Sequence, residues 1–388
     1  MDKNFLKHII LVTTSYPDIN PGSEAAGSFV EDFAKELSLH AKVTIIAPSL
    51  NDSEEHNNNI RIIRFAVPRL PLSLLRPARP SHWLPILKTL VKGNQATLKQ
   101  ASTEKVDFIL ALWALPSGYW ARSVSKQYDI PYGIWALGSD IWSLGKIPII
   151  KSILKSVLKK SAALYADGIL LSKEVENISQ NKCAFLPSTR DLCIKDKKQM
   201  ADSPPYRLAY LGRWHTNKGV DILVDSLNHL NNEDWEKITE VRIAGGGPLA
   251  TLIESSCKKL QNKKRSVTTL GYLDKNAAKE LLLWADYLLI PSRIESIPVV
   301  FSDAMQTQTA IIAMPVGDLP RLIKSLDVGI QASTVSSQSF CSAIQEALNT
   351  PPTKFHVGFE IACEKFSLSK IVTNLLADIE DIPPQIKT

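Results

Sequence analysis

Cysteine is scarce in this sequence, and its spacing is uninformative. The 388 residues include five cysteines, at positions 183, 193, 257, 341 and 363, and no two of them stand in CxxC spacing. An odd, scattered set argues against both a disulfide framework and a zinc site. We therefore expect inert thiols in a reducing cytosol.

Long apolar runs are also missing. No segment approaches the roughly 18 to 20 apolar residues that a membrane-spanning helix needs. Lysines precede an apolar run near the N-terminus, as in a signal peptide, but the run covers only residues 8–12 before threonines follow. This pattern predicts a first buried strand, and a cytoplasmic protein that is soluble or peripheral on the inner face of the membrane.

Neither length nor composition is unusual for a soluble globular protein. A chain of 388 residues exceeds one ordinary core and suits two domains of about 150 to 200 residues each. Hydrophobic residues at 45% and charged residues at 22% exclude disordered and collagen-like classes. No nucleic-acid partner is expected from the modest formal net charge of +6.

Acidic residues are absent from two stretches of the first half, residues 56–103 and 142–166. The second contains IPIIKSILKSVLKK, in which apolar residues recur at helical spacing and a lysine stands at every fourth position. This layout is typical of a basic amphipathic helix on an anionic membrane surface. The alternative is a helix that packs its apolar face on its own domain and leaves a solvated lysine edge.

Strand and helix patterns alternate throughout the first half. Strand, crossover helix and strand repeated in this way predict a parallel sheet covered by helices on both faces, a Rossmann-like domain. The predicted strands are 9–13, 42–47, 108–112, 132–136 and 168–171. The predicted helices are 29–39, one ending near Thr103, 118–128 and the lysine-rich segment.

The same alternation restarts after residues 194–206, a charged and then proline-rich segment typical of an inter-domain linker. A helical tail is predicted over 364–381. The second set of predicted strands is 207–211, 240–244, 267–270, 287–290 and 310–314. The second set of predicted helices is 220–229, 248–260, 275–284 and two that open near Pro298 and Pro320.

The loop GRWHTNKG, residues 212–219, places two cations between a strand and a helix. Arg213 and Lys218 near a helix N-terminus would suit a diphosphate, because free amides and positive side chains both favour anions. The alternative is that both cations are merely solvated.

A glycine turn, GGGPLA at 245–250, matches the dinucleotide pattern GxGxxA. It lies in the second domain, and no acidic residue stands near position 265 to hold a ribose hydroxyl, so an NAD site is disfavoured. The pattern indicates either close backbone approach to a ligand or an ordinary glycine turn before the start of a helix.

Glu295 and Asp303, eight positions apart, straddle a strand-to-helix junction. In an open parallel sheet the ligand lies at such junctions. Carboxylates there would accept hydrogen bonds from sugar or ribose hydroxyls, although solvated acids are the commoner case.

Taken together, GRWHTNKGVDIL, RIAGGGPL, LGYLDKNAAKELLLWADYLLIPSRIESIPVVFSDAM and MPVGDLPRLI resemble the second domain of a glycosyltransferase family 4 enzyme. The first domain agrees, with SYP, a glycine loop ending at Gly27, and LPSGYWARSVSKQYDIPYGIWALGSDIW. The tail KFSLSKIVTNLLADI resembles the terminal helix of that family. The resemblance covers nearly the whole chain.

This resemblance implies an α/β protein of GT-B fold, with two Rossmann-like domains facing a central cleft. Residues 1–195 would bind the acceptor and 207–365 the nucleotide-sugar donor. Residues 366–388 would form a helix that crosses back to the first domain.

The resemblance also implies an activity and a set of site residues. Such enzymes transfer a sugar from a nucleotide donor with retention of configuration, without a metal and with no cofactor beyond the nucleotide sugar. A hexose-type sugar and a glycan or lipid-linked acceptor in cell-surface polysaccharide synthesis are expected. The implied catalytic residues are Arg213, Lys218 and Glu295. The implied donor-binding residues are Gly27, Gly212, Arg213, Lys218, Gly245, Gly247, Glu295, Ser296, Ile297 and Asp303. The implied acceptor-side residues are Gly138 and Asp140.

The sequence departs from the family pattern at two positions. The second of the paired acids, usually glutamate, is Asp303, and the histidine that many members place before Gly-x-Asp is replaced by Leu137. A leucine can neither donate a hydrogen bond nor carry a proton. These departures keep open a non-catalytic family member that binds a nucleotide or glycan as an assembly partner.

Overall fold

The computed structural model describes residues 7–18, 24–72, 75–142, 147–194 and 198–382. The chain divides into two compact units. The first comprises Met1–Ser188 and Leu368–Thr388, and the second comprises Thr189–Ser367. Each unit has its own sheet.

The first unit contains an eight-stranded sheet in the order β3-β4-β2-β1-β5-β6-β7-β8. All its strand pairs are parallel except β3 with β4, which form an antiparallel hairpin at one edge. The strands are His8–Val12 (β1), Lys42–Ser49 (β2), Ser53–Asn57 (β3), Ile60–Ala66 (β4), Phe108–Leu112 (β5), Tyr132–Ala136 (β6), Ala163–Ala166 (β7) and Ala184–Phe185 (β8). The central strands are wholly buried, as expected for a parallel sheet covered on both faces.

Helices connect these strands as the alternation predicts. The helices of this part of the chain are Glu24–Leu37 (α1), Trp83–Thr103 (α2), Ser117–Tyr128 (α3), Ser139–Trp142 (α4), Pro148–Lys159 (α5) and Ile169–Ser179 (α6). The core under α3 is built around Trp120, whose ring meets Phe65 edge-on at 5.5 Å. The lysine-rich segment is helix α5, and its Leu154, Val157 and Leu158 are fully buried in this core.

For the first unit one expectation is wrong and one hairpin was not predicted. The strand predicted at 168–171 is wrong, because the strand is β7 at Ala163–Ala166 and the Ile-Leu-Leu run opens helix α6. A run of three apolar residues fits a strand or one helical turn equally well, so periodicity alone could not separate them. The antiparallel hairpin β3–β4 was not predicted; only β4 lies wholly in the acid-free stretch 56–103, because β3 contains Glu54 and Glu55.

The second unit contains a six-stranded, all-parallel sheet in the order β11-β10-β9-β12-β13-β14. Its strands are Tyr206–Leu211 (β9), Ile238–Ala244 (β10), Val267–Leu270 (β11), Tyr287–Ile290 (β12), Ala310–Ala313 (β13) and Gly329–Gln331 (β14). Strand order reverses at β9, which lies between β10 and β12. The carboxyl ends of these strands are therefore the expected ligand position.

Eight helices within the described residues surround this sheet. They are Val220–His229 (α7), Asn232–Glu236 (α8), Ala250–Asn262 (α9), Lys275–Trp284 (α10), Val299–Gln306 (α11), Leu319–Leu326 (α12), Ser337–Ala347 (α13) and His356–Lys365 (α14). The predicted linker has neither helix nor strand at 198–205, and its residues 195–197 lie outside the described part.

The helical tail predicted over 364–381 is present, although it begins four residues later than predicted. Helix α14 ends at Lys365, and a last helix, Leu368–Glu380 (α15), belongs to the first unit. Four apolar side chains of α15 are buried: Ile371, Val372, Leu375 and Ile379. Among the described residues, no helix combines the length and the apolar character needed to cross a bilayer.

Candidate active site

The loop of residues 212–219 joins β9 to α7 in the second unit. Its backbone is fixed at several points: the Tyr210 hydroxyl donates to the Arg213 carbonyl at 3.0 Å, and the Trp214 amide donates to the Gly246 carbonyl at 2.8 Å. Burial raises the pKa of Tyr210, so its phenol stays a donor. A Cβ at Gly212 would lie 3.1 Å from the Tyr210 hydroxyl oxygen.

The glycine turn after β10 packs directly against that loop. Gly245 has φ +138°, and a Cβ there would lie 1.9 Å from the Gly212 carbonyl oxygen. A Cβ at Gly247 would lie 2.7 Å from the Trp214 carbonyl oxygen. Both positions require glycine, because the backbones of the two loops touch at this point.

Lys218 and Glu295 come together as an ion pair between the loops that follow β9 and β12. The Lys218 Nζ donates to Glu295 Oε1 at 2.5 Å, and the Ser292 hydroxyl donates to the same oxygen at 2.8 Å. Both charged side chains are partly buried, and Ser292 is buried. The pairing leaves the second carboxylate oxygen of Glu295 for other donors.

A second ion pair fastens these loops together. The Arg293 guanidinium holds both oxygens of Asp221, on the first turn of α7, at 2.7 and 2.8 Å. Its Nη1 also donates to the Thr216 carbonyl at 2.7 Å, and its amide donates to the Asn217 carbonyl at 2.8 Å. Partial burial acts to raise the pKa of Asp221, but Arg293 outweighs it and holds that pKa below its usual range.

Ser296 and Ile297 follow Glu295 and are buried. A Cβ at Gly317 would lie 2.2 Å from the Glu295 carbonyl oxygen, so the loop after β13 backs this segment. The Ser296 hydroxyl oxygen has no hydrogen-bond partner among the described residues. An unsatisfied buried hydroxyl costs about 1 to 3 kcal/mol, and a ligand oxygen could relieve that cost.

Asp303, on α11, is fully buried and ion-paired. Arg190 Nε lies 2.9 and 3.0 Å from the two carboxylate oxygens, and Arg190 Nη2 lies 2.5 Å from Oδ2. Gln306 of the same helix donates to the Arg190 carbonyl at 2.6 Å. A ribose hydroxyl bound here would share the carboxylate with the guanidinium.

The first-unit residues of the predicted site lie in loops at the carboxyl edge of its sheet or next to them. A Cβ at Gly27 would lie 2.8 Å from the Tyr16 Cα, so α1 closely approaches the loop after β1. Gly138 has φ +95°, and the buried Asp140 accepts from the amides of Ala114 at 2.6 Å and Leu137 at 3.3 Å. Burial raises the pKa of Asp140, and these amides oppose the shift.

Comparisons with known proteins agree with this architecture. The family model described as "Glycosyl transferases group 1" matches residues 205–350. TuaC of Bacillus subtilis, which is named for teichuronic acid biosynthesis, is 25% identical over 346 residues, covering 81% of this chain and 82% of TuaC. A D-inositol 3-phosphate glycosyltransferase of Corynebacterium aurimucosum is 25% identical over 197 residues, covering 49% of this chain and 47% of that protein.

Solved structures show the same fold over almost the whole chain. Sucrose-phosphate synthase from Thermosynechococcus elongatus has a TM-score of 0.75 at 18% identity, covering 96% of this chain and 98% of that one. HepE of Anabaena, in complex with UDP, has a TM-score of 0.71 at 15% identity, covering 97% and 100%. The chain is a glycosyltransferase of GT-B fold. Its assignment to glycosyltransferase family 4 is consistent with these matches and stays a prediction.

In this glycosyltransferase the predicted donor-binding residues other than Gly27 all belong to the second unit, where they lie on the loops after β9, β10 and β12 and on helix α11. Lys218 and Glu295 are in direct contact, whereas Arg213 is exposed and pairs with no carboxylate among the described residues. Gly27, Gly138 and Asp140 belong to the other unit. The roles of all these residues stay predictions.

Sequence reasoning missed two partners of the predicted residues, Ser292 and Arg190, and also Arg293, which fastens the loop that carries Lys218. Ser292 and Arg293 stand in the segment already singled out, and a polar residue directly after β12 was an available signal. Arg190 lies 113 positions before Asp303 and outside every recognised motif, so the sequence carries no signal for that contact.

Metal ligands were not expected in this glycosyltransferase. Over the described ranges, no three His, Cys, Asp or Glu residues converge on a point that could hold a metal ion. Burial raises the pKa of the Cys183 thiol to about 12 and that of the Cys257 thiol to about 11.

Proposed function

We propose that this glycosyltransferase moves a hexose-type sugar from a nucleoside-diphosphate sugar to a glycan or lipid-linked acceptor, with retention of configuration and without a metal ion. We further propose that it acts in cell-surface polysaccharide synthesis, in the cytoplasm at the inner face of the membrane. Residues 207–365 would bind the donor and 1–195 the acceptor, with the segment 366–388 completing the first domain.

The observation that carries this proposal is the contact of Lys218 with Glu295, held by Ser292. A cation for phosphate and a carboxylate for hydroxyls stand side by side, at the carboxyl ends of β9 and β12. A sugar diphosphate presents those two chemistries next to each other across one bond. Lys218 and Glu295 therefore match the phosphate and the sugar on the two sides of the bond that must break.

In the proposed mechanism Arg213 and Lys218 stabilise the negative charge that develops on the departing diphosphate. Arginine can hold two phosphate oxygens at once, while lysine acts as a point charge. Glu295 accepts hydrogen bonds from the transferred sugar's hydroxyls, and Asp303, shared with Arg190, accepts from the ribose.

The remaining donor contacts would come from backbone and small groups. Gly27, Gly212, Gly245 and Gly247 keep side chains out of the loops, and the buried Ser296 hydroxyl, which has no hydrogen-bond partner among the described residues, could donate to the ligand. Fixed donors of this kind stabilise a charged transition state because they need no reorganisation during the reaction.

The bond changes are simple. The bond between the anomeric carbon and the diphosphate oxygen breaks, and its electron pair leaves with the diphosphate. The acceptor hydroxyl oxygen forms the new bond on the same face of the sugar. Its proton leaves to the diphosphate, which has just gained negative charge. Gly138 and Asp140 are proposed to shape the acceptor side.

Two variants test the site directly. Lys218→Ala and Glu295→Ala should each lower kcat/KM for sugar transfer by about 10²- to 10³-fold, the usual cost of removing one charge-stabilising group. Lys258→Ala and Glu254→Ala, which remove exposed charges of α9, serve as matched controls and should keep full activity. Unchanged transfer by both site variants would overturn the assigned site.

The donor nucleotide is found by thermal melting with UDP, GDP, ADP and CDP. UDP is tested first because HepE, a protein of the same fold, contains UDP in its crystal structure. A nucleotide at 100 times its dissociation constant stabilises a protein by about 2.7 kcal/mol. The melting temperature should rise by several degrees, at about 2 to 4 °C per kcal/mol, with the correct nucleotide.

A second candidate function rests on Leu137. A family member without the usual histidine could bind a nucleotide sugar or glycan and act as a non-catalytic assembly partner. The two candidates predict opposite results with purified protein and the nucleotide sugar selected by melting. Any turnover that Glu295→Ala abolishes eliminates the non-catalytic alternative.

A further inference from the structure

Three neighbouring helices of the first unit, α2, α3 and α5, carry no acidic residue. They lie side by side on one face of the sheet, with α2 against α3 and α3 against α5. Together they hold eight cations: Lys88, Lys92, Lys99, Arg122, Lys126, Lys151, Lys155 and Lys159. We call this surface the basic helical face. The helices α1 and α6 of the same unit contain glutamates, so the absence of acids is confined to one surface.

Large apolar side chains are exposed at one end of the basic helical face. Six of them, between 41% and 78% exposed, lie in the first two turns of the three helices. They are Trp83, Leu84 and Leu87 of α2, Tyr119 of α3, and Ile149 and Ile153 of α5. Helix α5 thus combines both sequence interpretations, since Leu154, Val157 and Leu158 pack inward while Ile149 and Ile153 face solvent.

The position of these apolar side chains follows from the topology. Helices α2, α3 and α5 end shortly before β5, β6 and β7 begin, so their C-termini lie at the amino edge of the sheet. Their N-terminal turns therefore lie at the carboxyl edge. The loops that carry Gly138 and Asp140 leave β6 at the same edge.

We propose that the basic helical face docks on an anionic lipid surface, with the exposed apolar side chains of its N-terminal turns entering the membrane interface. Cations next to exposed Trp, Leu and Ile side chains are the pattern of interfacial membrane binding. Tryptophan is favoured at that depth because its ring is apolar and its N–H is polar. A polyphosphate such as nucleic acid would satisfy the lysines but would leave Leu84, Leu87, Ile149 and Ile153 in water.

Docking in this orientation brings the proposed acceptor edge of the first unit to the lipid headgroups. It deepens the proposed function, which asks for a glycan or lipid-linked acceptor at the membrane. The docking itself needs no donor and no sugar transfer. A failure of lipid binding is therefore separable from a failure of catalysis.

The test is flotation of the full chain with vesicles of phosphatidylcholine, or of the same lipid with about a third phosphatidylglycerol. We expect recovery with the anionic vesicles and little with the neutral ones. Binding should fall steeply at about 0.5 M NaCl, where charges are screened within a few ångströms. Equal recovery with both vesicles would overturn the proposal.

Two sets of variants separate the basic and apolar contributions. Lys88→Gln, Lys92→Gln, Lys151→Gln and Lys155→Gln in one chain should weaken binding to anionic vesicles by more than tenfold, because each cation near such a surface contributes roughly fivefold. The matched control replaces four exposed lysines of the second unit, Lys258, Lys259, Lys263 and Lys264, by Gln. Equal losses in the two chains would contradict a localised surface.

The apolar variant is Leu84→Ser with Leu87→Ser, and its control is Val357→Ser with Ile361→Ser, two exposed apolar residues of α14. All four positions are exposed, so the fold should persist, which the melting temperature checks. We expect weaker lipid binding only in the first variant. The proposal would be rejected if vesicles bound weakly while duplex DNA bound tightly, with the same affinity for wild-type protein and for the Leu84→Ser, Leu87→Ser variant. That result would assign the basic helical face to nucleic acid.

Discussion

Asp140 in the first unit and Asp303 in the second are both buried carboxylates, and they are held in different ways. Asp303 faces the Arg190 guanidinium, which spans both of its oxygens. Asp140 accepts from the backbone amides of Ala114 and Leu137. The charge of Asp303 is thus balanced by a charge, whereas that of Asp140 is balanced by dipoles. The second unit thus places opposite charges in direct contact, here and again at Lys218 and Glu295.

The largest effect should come from breaking the balanced pair. Asp303→Ala removes both carboxylate oxygens that the largely buried Arg190 guanidinium contacts, so the second unit should lose about 3 to 5 kcal/mol of stability. The paired replacement Arg190→Met with Asp303→Leu removes both charges and should cost much less. Urea unfolding of the three proteins measures this.

The neighbouring acid provides the contrast within the same unit. Glu295→Ala leaves a lysine that is only partly buried, and it should change the urea midpoint little while lowering activity. If Asp303→Ala lowered the free energy of unfolding no more than Glu295→Ala does, the Asp303 carboxylate would not be needed to stabilise the Arg190 guanidinium.

Lys198 extends the comparison to a largely buried cation whose hydrogen-bond acceptors are neutral groups. The Lys198 ammonium donates to the carbonyls of Leu282 and Ala285 and, at 3.1 Å, to the Thr309 hydroxyl. Burial lowers the pKa of Lys198 to about 7, while Asp286 opposes the shift and Arg207 adds to it.

The sign of the pH effect follows from that pKa. Between about pH 7 and the ordinary lysine value, the unfolded chain binds more protons than the folded one, so stability rises with pH. From pH 7 to 9, wild-type protein should gain about 2 kcal/mol relative to Lys198→Met, at 1.36 kcal/mol per pH unit. Denaturant unfolding at both pH values measures the difference, with Lys258→Met as the exposed control. A difference independent of pH would show that Lys198 stays charged when folded.

The smallest effect is expected at Asp140. Asp140→Asn keeps one carbonyl oxygen for the Ala114 amide and loses the acceptor for Leu137, so about 1 kcal/mol of stability should be lost. Glu174→Gln, on the exposed side of α6, is the matched control. If Asp140→Asn lost as much stability as Asp303→Ala, a carboxylate held by backbone amides would matter as much as one paired with a guanidinium, and the comparison would fail.

Much of the fold was predictable because its pattern is local. Strands such as Phe108–Leu112 and Tyr132–Ala136 agree with prediction at both ends, since a continuous apolar run between turn residues defines them. The strand predicted at 168–171 was wrong because an apolar run this short fits a strand and a helical turn equally well. The β3–β4 hairpin was missed because Arg61 and Arg64 interrupt the apolar pattern of β4, and because the edge strand β3, SEEHN, has no apolar residue.

The candidate site was predictable in its residues and not in its contacts. The cation loop and the acid of the β12 loop could be singled out, but their pairing through Ser292 depends on which strands are neighbours in the sheet. Arg190 shows the limit most clearly. Its role depends on a chain segment that has no pattern, packed on a helix more than a hundred residues away.

The return of the chain to the first unit at Leu368 has a consequence for protein engineering. Residues 189–367 form one uninterrupted insertion, so the second unit can be excised as a single open reading frame. The first unit cannot be obtained by truncation at either end, because α15 supplies part of its core. Producing it alone calls for joining Ser188 to Leu368 through a short designed linker, or for a circular permutation.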